Sequence, residues 1–202
     1  MNMKLCKIIK NTPFGRFFCY NNYHGFKIGF VIKREYKKNG VDFVDKKKMN
    51  IRYGLFALIL IVLDQVSKLV VANTLEYGKS VPVLGEFFQL TYVHNTGAAW
   101  SMLEGKMGFF YVISIAALIV LGVFYARTDS HEKYTKLGLV MMMAGTIGNF
   151  IDRLRLKYVV DFLDFLIFGY DFPVFNIADT VLCIGVALIL LDVFLESRGV
   201  KR

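Results

Sequence analysis

Met107-Gly-Phe-Phe-Tyr-Val-Ile-Ser-Ile-Ala-Ala-Leu-Ile-Val-Leu-Gly-Val-Phe-Tyr-Ala126 runs for twenty residues without a charged side chain. At about 1.5 Å of rise per residue, a helix of that length crosses the roughly 30 Å hydrocarbon core of a bilayer. Lipid offers no partner to backbone N–H and C=O groups, so such a segment must pair them internally and is helical. Three more apolar segments flank it. One runs from Gly54 to Ala72 and is interrupted by Asp64, Gln65, Ser67 and Lys68; the others run from Tyr134 to Ile151 and from Phe175 to Leu195. The expectation is an α-helical integral membrane protein with four transmembrane helices.

Composition agrees. Hydrophobic residues make up 55% of the 202-residue chain, above the roughly 45–50% of a soluble domain. Residues 1–50 hold 12 of the 25 Lys/Arg and 3 of the 16 Asp/Glu, so the whole formal charge of +9 lies in the N-terminal quarter. The rest of the chain is neutral, which gives no ground for nucleic-acid binding. Cys6, Cys19 and Cys183 form neither a disulfide framework nor a metal-ligand spacing.

Leu75 to Lys106 is too polar to span. Ser80–Leu84 and Phe87–Val93 are β-prone, and Gly85-Glu86 between them reads as a hairpin turn. A small sheet against the membrane face follows, with its Phe and Tyr side chains in the interfacial belt. Leu154 to Val174 mixes Asp161, Asp164 and Asp171 with Phe and Leu, a pattern that suits a short surface-lying helix and a loop.

Basic residues flank the segments unevenly. Lys46, Lys47, Lys48 and Arg52 precede the first, Arg127, Lys133 and Lys136 join the second to the third, and Arg198, Lys201 and Arg202 follow the fourth. This bias places both termini in the cytoplasm. The Asn149–Arg153 and Asn176–Asp179 stretches then share the outer face.

Ionisable groups at membrane depth are costly and are functional candidates. Asp64 and Lys68 are four apart on one helical face; a buried ion pair and a substrate-facing role are both open to them. Arg153, one turn after Asn149, has the reach to snorkel to headgroups, and Asp152 beside it is expected to pair locally. Asp161 lies in the surface segment. Asp179 falls in the first turn of the last helix after Asn176, where a capping role is the simplest reading. Two carboxylates brought together beside apolar surface cannot both ionise cheaply, so one keeps a proton while the other acts as a base. That is aspartic-peptidase chemistry: the base takes a proton from water, and the acid serves the carbonyl oxygen and the leaving amine. No H-E-x-x-H or Ser/His/Asp set competes, and His24, His94 and His131 read as solvated loop residues.

Taken together, the motifs resemble bacterial lipoprotein signal peptidase, or signal peptidase II. The resemblance covers Ile51 to Leu195. It rests on Asp64-Gln65-Val66-Ser67-Lys68, Asn95-Thr96-Gly97-Ala98-Ala99-Trp100-Ser101, Gly148-Asn149-Phe150-Ile151-Asp152-Arg153 with Val159-Val160-Asp161-Phe162, and Phe175-Asn176-Ile177-Ala178-Asp179. It implies a multi-pass enzyme of the bacterial cytoplasmic membrane, with four transmembrane helices and an extracytoplasmic β-cradle. It implies Asp161 and Asp179 as the catalytic dyad, with Asp64, Lys68, Asn95, Asn149, Arg153 and Asn176 lining or bracing the substrate site. The implied substrates are diacylglyceryl-modified prolipoproteins, cut on the N-terminal side of the lipidated cysteine. No metal or cofactor is implied, partners beyond substrate are membrane lipids, a monomer is expected, and globomycin is expected to inhibit.

Lys157 stands where the family pattern has a small residue, commonly Gly. Residues 1–48 have no counterpart in that pattern. They are read as a basic extension ahead of a membrane-embedded domain at 49–202, with translation starting at Met49 or with the extension a dispensable tail. The rival reading is a small proton-coupled membrane transporter, since intramembrane Asp and Lys also mark ion pathways. It calls for carboxylates near mid-membrane and internal symmetry, and no repeat is visible.

Overall fold

The structure is a computed structural model that describes residues 40–97, 105–129 and 131–199, with side chains from Lys48 onward. The extension ahead of residue 40 and the Ala98–Ser101 part of the second motif lie outside the described residues. The elements below belong to the unit Asp45–Arg202, except that the first helix begins at Gly40, within the unit Met1–Val44.

Among the described residues, four helices and four strands follow in the order α1 (Gly40–Thr74), β1 (Ser80–Leu84), β2 (Phe88–Asn95), α2 (Met107–Arg127), α3 (Lys133–Leu156), β3 (Val159–Ile167), β4 (Tyr170–Phe175) and α4 (Ile177–Ser197). Three of the helices are long and apolar enough to cross a membrane, over Lys48–Thr74, Met107–Arg127 and Ile177–Ser197. They leave large apolar side chains such as Leu58, Ile59, Val112, Ile119, Leu190 and Val193 uncovered. A soluble protein would hide such a surface, whereas lipid covers it.

α3 is the exception. It packs against both α2 and α4, and its buried residues include Lys136, Asn149 and Asp152. Their polarity keeps its composition below that of a spanning helix. Glycines let α3 and α4 approach closely: a Cβ on Gly138 would lie 2.5 Å from the Gly185 carbonyl, and one on Gly145 would run into that of Ala178. Close backbone approach at small residues is how helices associate where hydrophobic burial gives no drive.

The strands form one antiparallel sheet in the order β1-β2-β3-β4. The β1–β2 hairpin turns at Gly85, with φ +54°. The surface-lying helix expected between Leu154 and Val174 is not formed; β3 and β4 occupy that stretch. Val159, Val160, Asp161 and Phe162 are all buried, so β3 is covered on both faces. A half-exposed helix cannot provide that. His94 likewise departs from the solvated-loop reading. It is half-buried on β2 and stacks on Tyr158 with ring centroids 3.7 Å apart.

Candidate active site

The site forms where the C-terminal turns of α3, the N-terminus of α4, β3 and the end of β2 meet one face of α1. Asn176 is the N-cap of α4. Its side chain accepts from the Asp179 backbone N–H at 3.0 Å, and its own N–H donates to Asp179 Oδ2 at 3.2 Å. This reciprocal capping box fixes the first turn. It leaves the Asn176 amide nitrogen free to donate outward, to Asp161 Oδ1 at 2.6 Å and to Asn149 Oδ1 at 3.1 Å.

Both carboxylates are thereby held in amide contacts. Asp161 also accepts from Asn95 Nδ2 at 2.8 Å, and Asp179 Oδ1 accepts from Asn149 Nδ2 at 2.7 Å. Asp161 is buried on β3, at 2% exposure, whereas Asp179 is half-buried. Burial pushes the Asp161 carboxyl up to about 7, with the charge of Asp179 adding to the rise; the amides of Asn95 and Asn176 and the charge of Lys68 oppose it.

Beneath the pair lies a buried charge cluster. Lys68 Nζ is 2.9 Å from Asp64 Oδ2, 3.0 Å from Asp152 Oδ2 and 2.9 Å from Asn149 Oδ1. Its three protons therefore have three acceptors. Asp64 Oδ1 accepts the Ala178 N–H of α4 at 2.9 Å, and Asp152 Oδ2 accepts that of Val160 on β3 at 3.1 Å. The cluster thus ties α1 and α3 to the two elements that carry the carboxylates.

Seven of the eight residues named from sequence meet in this network. Arg153 stands beside it: its guanidinium lies 4.7 Å from the Phe110 ring centroid and donates to the Gly97 carbonyl at 3.2 Å. Asp152, expected to pair locally, instead reaches Lys68 on α1. Gln65 was not singled out, yet it donates to Asp64 Oδ2 at 3.1 Å, to Asp152 Oδ1 at 2.9 Å and to the Gly148 carbonyl at 3.2 Å. The available signal for Asp152 was its position three residues after Asn149, on the same helical face. Among the described residues, no group of three or more His, Cys, Asp or Glu could hold a metal ion.

Known proteins resemble this chain over most of its length. A family model described as Signal peptidase (SPase) II matches residues 55–195. The chain is 46% identical over 155 residues to a lipoprotein signal peptidase of Staphylococcus haemolyticus, covering 76% of this chain and 98% of that one. It is 42% identical over 148 residues to one from Staphylococcus aureus, covering 73% and 91%. A bacterial membrane enzyme solved by the in meso method at 2.3 Å superposes with a TM-score of 0.69 at 41% identity, covering 75% of this chain and 92% of that one. A second, solved at 1.9 Å, gives 0.64 at 43% identity, covering 70% and 92%. The transporter reading is left without support. With the family match running from within α1 to within α4, the chain belongs to the signal peptidase II family of membrane aspartic peptidases.

Proposed function

We propose that Asp161 and Asp179 are the catalytic dyad of an endopeptidase that removes signal peptides from diacylglyceryl-modified prolipoproteins, cutting before the lipidated cysteine. The observation that carries this reading is the double role of Asn176, whose side chain donates to Asp161 and whose backbone N–H donates to Asp179. One residue thus fixes both carboxylates. The pair shares one proton. Asp179, in the first turn of α4, sits where the helix N-terminus favours an anion, so the proton resides mainly on buried Asp161. Asp179 then takes a proton from the attacking water. Asp161 polarises the scissile carbonyl and its proton goes on to the leaving amine.

Asp64 and Lys68 brace the site from below, at 1% and 3% exposure, while Asn149 and Asn176 orient the dyad. Asn95 and Arg153 lie at the rim, where the backbone of a substrate can reach them. Asp161→Asn and Asp179→Asn each keep side-chain volume and remove an acid or base. Each is expected to abolish the gel shift of a lipidated prolipoprotein; turnover by either would overturn the assignment.

All four helices span the cytoplasmic membrane on this reading, α3 shielded by its neighbours, and both termini are cytoplasmic. A reporter active only outside the cytoplasm should work when fused after Lys106 or between Asp164 and Asp171, and be silent after Asp129 or Arg202. The opposite pattern would invert the topology. A chain starting at Met49 is expected to insert and cleave, with residues 1–48 dispensable.

A further inference from the structure

Asp164 is a buried carboxylate, 6% exposed, that the chemistry above does not use. One of its oxygens, Oδ2, accepts from Gln89 Nε2 at 2.8 Å and from the Thr91 hydroxyl, both on β2. Since Thr91 donates to Asp164, the Ser80 hydroxyl on β1 donates to Thr91 Oγ1, at 2.8 Å. Three strands are therefore joined through one carboxylate oxygen and the Thr91 hydroxyl bonded to it.

Thr91 sits where the β2–β3 register breaks. Leu90 pairs with Leu163 but Val93 pairs with Asp161, so β2 carries one residue more than β3 between those points. Strand side chains alternate between faces, and one extra residue switches the face of everything beyond it. Gln89 and Asn95 are six apart and would share a face on a regular strand. Here Gln89 reaches Asp164 while Asn95 reaches Asp161, and those two lie three apart on β3, on opposite faces. Without the bulge, His94 would take the place of Asn95 opposite Val159, and the Asn95 amide would face away from Asp161.

We propose that Asp164 is a positioning residue for the reaction: through Thr91 it pins the bulge of β2 that turns Asn95 onto Asp161. The proposal rests on the reading of Asp161 and Asp179 as the dyad. It requires the bonds to Oδ2 and not the negative charge, because one neutral amide oxygen can accept from both Gln89 and Thr91.

The test uses the full chain, purified, with a lipidated prolipoprotein as substrate, and reads kcat, KM and the pH–rate profile for wild type, Asp164→Val, Asp164→Asn and Thr91→Val. Losing the Asn95 donor makes ionised Asp161 less favourable. Asp164→Val and Thr91→Val should therefore lower kcat about tenfold with KM held within about twofold, and move the profile to higher pH by about one unit. Asp164→Asn should restore the wild-type profile. An unchanged profile in Thr91→Val, or a profile in Asp164→Asn displaced as far as in Asp164→Val, would overturn the proposal. Thr91→Val decides if Asp164→Val does not accumulate. Asp161→Asn in the same assay separates the two readings: turnover there overturns the dyad, whereas its inactivity beside an undisplaced Thr91→Val overturns only the role of Asp164.

Discussion

A Cβ on Gly148 would lie 2.6 Å from Oδ2 of Asp64. The bare Cα of α3 is what lets the Asp64 carboxylate of α1 fit between Lys68 and the N-terminus of α4. Alanine normally favours a helix over glycine by about 1 kcal/mol, yet Gly148→Ala must displace Asp64 from Lys68, Gln65 and the Ala178 N–H. The expected outcome is a lower Tm and cleavage reduced more than about tenfold. Gly54→Ala, with nothing within 4 Å of the added carbon, is the control and should leave both unchanged or raise the Tm. Equal behaviour of the two variants would contradict this account of the Asp64 site.

The Asp161 carboxyl gives a stability prediction with a definite sign. Its ordinary value is 3.8 and the fold pushes it up to about 7, mainly by burial. Between those values the folded protein binds the proton more tightly than the unfolded chain. This contribution is fully present below the lower value and is lost as pH rises through the upper one. Asp161→Asn removes the effect. The Tm of Asp161→Asn relative to wild type should therefore climb between pH 3.8 and about 7. A difference that stays flat across that window would show that the carboxyl is not perturbed in the fold.

Lys68 pairs with two buried carboxylates, Asp64 and Asp152, at 2.9 and 3.0 Å. Removing one partner of a buried ionic cluster costs about 3–5 kcal/mol, because the remaining charges are left uncompensated. Lys68→Met is expected to lower the Tm strongly and activity with it. Adding Asp152→Asn to Lys68→Met should recover part of the Tm. Thermal unfolding of the three proteins checks this; a double variant no more stable than Lys68→Met would contradict the charge argument.

Lys157 closes α3 in the left-handed region, at φ +69°, the backbone shape that explains why a small residue suits this place. Its ammonium donates to the Tyr111 hydroxyl at 3.1 Å, an exposed contact that offsets little. A left-handed conformation costs a non-glycine residue about 1–2 kcal/mol. Lys157→Gly should raise the Tm at little change in cleavage. A fall in Tm would mean that the Lys157–Tyr111 contact outweighs the backbone strain.

The helices were legible because a bilayer leaves an apolar twenty-residue segment one conformation, and the first hairpin because Gly85 marks its turn. β3 was not. Asp161 and Asp164 stand three apart among Phe and Leu, which mimics the face of an amphipathic helix, and only the β-branched and aromatic content argued otherwise. The β2 bulge is invisible at that level, since nothing local announces an extra residue before its partner strand is known. The two carboxylates and the amides that hold them could be picked out from ordered motifs. That Asp152 closes on Lys68, and that Gln65 joins both acids, depends on α1 and α3 meeting across 84 residues of chain.

If the Asp161–Asp179 pair does the cutting, the products of a lipidated prolipoprotein, weighed by mass spectrometry, report it. Purified wild-type chain should release one intact signal peptide and a protein whose first residue is the diacylglyceryl-cysteine, and Asp179→Asn should release neither. The same two products from Asp179→Asn at a wild-type rate, or cleavage at another bond, would rule the assignment out.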